Sequence, residues 1–77
     1  MTAHPPRPSF GFARRNGATL VAWHGDEAEV AWREGVKPEV LSELRRYLDA
    51  PLKLVRHDAA GFDRLLRELY EQGDDAR

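Results

Sequence analysis

Cysteine is absent from this chain, so neither disulfides nor thiolate metal ligands can stabilise it. That absence fits a reducing, cytoplasmic setting. Long apolar runs are missing too: the longest is short, residues 18–23, and nothing here is long enough to span a membrane. No apolar segment follows Met1, so no secretory signal is expected. Nor is there an excess of one charge: 12 Lys and Arg against 13 Asp and Glu leave a formal charge of −1. Such an interspersed balance excludes the concentrated basic face of a nucleic-acid module. The 6 glycines are scattered, with no G-x-x-x-x-G-K-[ST] and no G-x-G-x-x-G. Without a loop to cradle phosphates, the chain alone is expected neither to bind nor to hydrolyse ATP. At 77 residues it forms one domain. A domain of this size buries only about 60% of its unfolded surface.

Residues 1–8 read as an extended arm, because Pro5, Pro6 and Pro8 each fix φ and remove a donor. Residues 9–73 form the domain, and residues 74–77 read as the start of a polar linker or tail. Ser9 is an N-cap and Asn16-Gly17 a C-terminal stop, leaving room for about two helical turns. Phe10, Ala13 and Gly17 share one face of that helix, and Phe12 points elsewhere. Residues 18–23 and 27–33 read as a β-hairpin around His24-Gly25-Asp26. A two-residue turn, His24-Gly25 or Gly25-Asp26, puts Thr19, Val21, Trp23, Ala28, Val30 and Trp32 on one, core-facing side. A three-residue turn centred on Gly25 instead exposes Trp23 and buries Leu20.

Pro38 opens a second helix with Val40, Leu41, Leu44, Tyr47 and Leu48 on its apolar side. Pro51 ends it. Residues 52–56 form a short third strand, and Asp58 caps a third helix striped by Phe62, Leu65, Leu66, Leu69 and Tyr70. The fold class is therefore α+β in the order α-β-β-α-β-α. A βαβ unit and an antiparallel hairpin give a three-stranded mixed sheet, with the helices packed mainly on one face. The expected core is Val30, Trp32, Val40, Leu44, Leu48, Leu52, Leu54, Phe62, Leu66 and Leu69.

Candidate chemistry is sparse. His4, His24 and His57 have no ligand spacing between them, so no metal site is expected. The few hydroxyls lack a neighbouring base, and the carboxylates read as solvated surface, so no catalytic residue is assigned. The sharpest charge cluster is Arg14-Arg15. It has two readings: a solvated helix C-terminus favoured by the dipole, or an ion-pairing patch for an acidic partner. Phe12 beside it favours an interface, since aromatic and Arg side chains are enriched at binding hot spots.

Three pieces, SFGFARRNGATLV, LSELRRYLDAPLKLV and FDRLLRELYEQG, carry a family resemblance. Together they resemble the amino-terminal domain of the type II secretion ATPase, general secretory pathway protein E. That family similarly opens on Phe-x-Phe-Ala-(Lys/Arg)-Arg-x-Gly leading into a strand. The resemblance implies a non-catalytic docking domain. It would bind the cytoplasmic domain of the inner-membrane platform protein L and couple a hexameric ATPase to secretion. The ATP-binding motifs and the hexamer would belong to a separate carboxy-terminal domain, and the location would be cytoplasmic, peripheral to the inner membrane through the partner. No cofactor, nucleic acid or direct membrane insertion is implied for this chain. Alternatives are a cyclic-dinucleotide sensor of a pilus ATPase, which the missing Arg-Leu-Gly motif disfavours, and a free-standing adaptor. The partner-binding residues expected are Phe12, Arg14, Arg15, Leu20 and Val55.

Overall fold

A computed structural model describes residues 4–73, with backbone only for residues 72 and 73. The expected arm residues 1–3 and tail 74–77 lie outside the described residues. The elements are α1 (Phe10–Asn16), β1 (Ala18–His24), β2 (Glu27–Arg33), α2 (Pro38–Leu48), β3 (Leu52–His57) and α3 (Ala59–Gly73). This is an α+β fold in the order α-β-β-α-β-α, as the sequence leads one to expect.

Local chemistry explains each boundary. The Ser9 hydroxyl accepts from Phe12 N–H at 3.1 Å and caps α1. Gly17 ends α1 in the left-handed region at φ 77°, its N–H donating to Ala13 O at 2.8 Å. A Cβ there would sit 3.0 Å from Arg33 Nε, so backbone conformation and space both require glycine. Pro38 starts α2, and Asp49 closes it with φ 53° and a 2.8 Å bond from its N–H to Arg45 O. Asp58 Oδ1 accepts from Gly61 N–H at 2.7 Å and so starts α3.

The sheet runs β1-β2-β3, antiparallel then parallel. The hairpin turn is Gly25-Asp26, because His24 still pairs with Glu27. The register then slips between Leu20 and Ala22, an irregularity at Val21 that no turn geometry predicts. One extra residue reverses the parity of the strand's first half. Ala18 and Leu20 therefore join Trp23, Ala28, Val30 and Trp32 on one face, while Thr19 lies opposite Ala31 on the other. This corrects the expectation that Thr19 and Val21 share a face with Trp23.

The expectation that the helices share one face is also corrected. α2 covers one face through Val40, Leu44 and Leu48, packed on Leu20, Ala28 and Val30. α3 covers the other through Phe62 and Leu66, packed on Ala31, with Ala13 of α1 beside them. Width is the physical reason. Three strands at ~4.8 Å spacing span about 10 Å, roughly the diameter of a single helix with its side chains. Adjacent Val30 and Ala31 are both fully buried, which a central strand with two apolar faces requires. The helices are offset: α2 packs toward β1, and α3 lies over β2 and β3. Six of the expected core residues are buried: Val30, Val40, Leu44, Leu48, Phe62 and Leu66. Trp32, Leu52 and Leu69 are half-buried, and Leu54 is 47% exposed because α2 does not reach across β3.

Candidate docking surface

The arm is fixed to the domain by a residue whose role its sequence context hides. Arg7 Nε donates to Leu20 O at 2.9 Å, and its Nη2 donates to Val21 O at 3.1 Å. Those carbonyls flank the register slip, so a charged donor fork meets acceptors that the irregular ladder leaves available. The Arg7 guanidinium also lies 5.7 Å from the Tyr70 ring centroid.

Tyr70 ties three segments together. Its hydroxyl donates to Pro8 O at 2.7 Å, and a carbonyl can only accept. Its single proton being used, it accepts from the buried Thr19 hydroxyl, also at 2.7 Å. Burial raises the Tyr70 pKa above the ordinary phenol value; the Thr19 bond and the Arg7 charge oppose the shift. Further along the arm, His4 stacks on Trp23 at 3.8 Å and Pro6 O accepts from the Tyr47 hydroxyl at 2.9 Å.

With the arm held down, the short α1 stands at the surface. Arg14 and Arg15 are exposed in its last turn, where the helix dipole favours cations. Arg33 passes beneath Gly17, its Nη2 donating to Arg14 O at 3.4 Å. Arg14 also borders a groove between α1 and α3, lined by Phe10, Asp63, Leu66 and Arg67. Phe10 is 44% exposed and meets the Tyr70 ring edge-on at 5.5 Å. An apolar ring thus sits in a cationic frame of Arg14, Arg15 and Arg67, a composition suited to an acidic, partly apolar partner.

The expected partner residues are scattered by the fold. Arg14 and Arg15 are together and accessible. Phe12 is half-buried against the α2 side of the core, in a cleft with Leu44 and Tyr47. Leu20 is 4% exposed and lies beneath α2, out of a partner's reach while the core is closed. Val55 is half-buried on the opposite face, opposite Ala31. Phe10 and Arg67 complete the surface and are not singled out by sequence pattern; the i, i+4 spacing of Phe10 and Arg14 is the signal that joins the first of them to the patch. Among the described residues, no three His, Cys, Asp or Glu side chains are grouped so as to hold a metal ion. Among them, too, no helix is long and apolar enough to cross a membrane.

Fold and surface together describe a small α+β module whose accessible features are an apolar ring, a cationic patch and a pinned arm. The chain belongs to the family described as GSPII protein E, N1-E domain, whose model matches residues 7–70. It is thus an N-terminal domain of a type II secretion ATPase. No curated protein matches the chain.

Proposed function

We propose that this domain is a non-catalytic docking module. It binds the cytoplasmic domain of the inner-membrane platform protein L and so couples the secretion ATPase to the membrane machinery. Membership of the protein E domain family supports this reading, and the exposed Phe10–Arg14 patch is the observation that carries it. Phe10 would supply the apolar anchor, and Arg14 and Arg15 the attraction for acidic side chains. The domain would bring the ATPase to the membrane without entering it, and would itself need no cofactor.

Reversing the charge with Arg14→Glu and Arg15→Glu tests the proposal. Both side chains are exposed, so the fold should survive, as circular dichroism would show. Titration against the protein L cytoplasmic domain should show weaker binding, by ~2–5 kcal/mol for buried hydrogen-bonded pairs and far less for a wet rim. The binding of the unaltered domain should also weaken with added salt. Unchanged affinity at every salt concentration would remove this patch from the interface.

A further inference from the structure

The two edges of the sheet are unlike. β1 is interrupted at Val21, and Arg7 occupies its Leu20 and Val21 carbonyls. β3 pairs only with β2, and the phase of that pairing follows from one bond. Ala28 N–H donates to Pro51 O at 2.9 Å, with Ala28 opposite Leu52. In a parallel ladder alternate residues then turn inward, so Lys53, Val55 and His57 bond β2. Leu52, Leu54 and Arg56 direct their N–H and C=O groups outward, and no hydrogen bond among the described residues meets them.

The side chains beside that edge are equally uncovered. The offset of α2 toward β1 leaves a groove between α2 and β3, lined by Leu41, Ser42, Arg45, Pro51, Leu52 and Leu54. Leu54, 47% exposed, forms part of its wall. Cations surround it. Arg45 lines the groove, Lys53 is exposed on the strand, and Arg56 reaches Glu34 at 3.0 Å in an exposed pair worth little.

We infer that β3 is a second recognition edge, which takes up an extended acidic segment of a partner protein as a fourth strand. Backbone bonds to Leu52, Leu54 and Arg56 supply the pairing. An apolar side chain of the partner fills the groove against Leu54, and its acidic side chains meet Arg45, Lys53 and Arg56. The same cations disfavour a second copy of this chain, since two β3 strands would bring like charges together. The inference goes beyond the docking reading: it uses another side of the sheet and stands without it.

Capped hexapeptides alternating Val and Glu are the probe. A Lys-for-Glu series and a backbone N-methylated series are the controls. Amide exchange of the full chain, followed by NMR, should slow by about tenfold or more at Leu52, Leu54 and Arg56 with the acidic peptide alone. Lys53→Glu with Arg56→Glu should weaken peptide binding by about tenfold, as should Leu54→Asp, which keeps the charges. The amide spectrum of each variant shows that its fold is retained. No protection at millimolar peptide, equal protection by the Lys series, or binding of the N-methylated series would overturn the inference. Concentration-dependent dimerisation lost with Leu54→Asp would assign the edge to a second copy and overturn the choice of occupant.

Discussion

Arg7 and Tyr70 are where single side chains matter most. The family match begins at one and ends at the other, and the two meet in space. Arg7→Met keeps much of the stem and deletes the fork, so it should cost ~1.5–3 kcal/mol in denaturant unfolding, the range for hydrogen bonds from a charged group. Tyr70→Phe strands the buried Thr19 hydroxyl and should cost ~1–3 kcal/mol. It should also alter the alkaline limb of stability. Because burial raises the folded-state pKa above the unfolded value of ~10, the fold holds the phenol proton more tightly. That contribution is complete below pH ~10 and is lost as the pH rises through the folded pKa, and Tyr70→Phe should remove it. Neither role is legible in the sequence. Arg7 sits among prolines and reads as solvated arm, and Tyr70 reads as one more stripe residue of a helix. Both depend on contacts some 60 residues apart in the chain.

The elements themselves are legible, because their determinants are local. Ser9, Gly17, Pro38 and Asp58 fix helix ends through bonds that span three or four residues. The slip at Val21 is not legible, since it is met by Arg7 from outside the hairpin. Its consequence is the misassigned face of Thr19 and the burial of Leu20. The two phenylalanines of α1 exchange expected roles for a related reason. Phe12 turns inward because the cleft beside Leu44 and Tyr47 accepts it, and Phe10 remains partly outside against Tyr70. Phe12→Ala should therefore lower stability more than Phe10→Ala, while Phe10→Ala should lower partner affinity more. Paired denaturation and titration experiments would check the contrast. The strand-helix offset makes a second one. Leu66→Ala, in the packed face of α3, should cost ~2–5 kcal/mol, whereas Leu54→Ala at the open edge should change stability by about 0.5 kcal/mol or less.

At the scale of the molecule, a narrow sheet with an apolar central strand needs a helix on each face, and this arrangement decides what remains outside. α3 occupies the face beside α1 and brings Arg67 to Arg14; α2, drawn toward β1, leaves β3 open. Helix number and order can be read from periodicity, but helix placement depends on the sheet's width and on β2's two apolar faces. Val30 and the small Ala31 each support one of those faces. The candidate surface was legible in its cationic half, Arg14 and Arg15, and obscure where the fold supplies the neighbour, as with Arg67. The central claim is that the α1–α3 patch docks the domain on the protein L cytoplasmic domain. Amide chemical-shift mapping of the full chain with that partner tests it most directly. The predicted footprint covers Phe10, Arg14, Arg15 and Arg67 and leaves Leu52, Leu54 and Arg56 unmoved. A footprint confined to β3, or no binding at all, would contradict it.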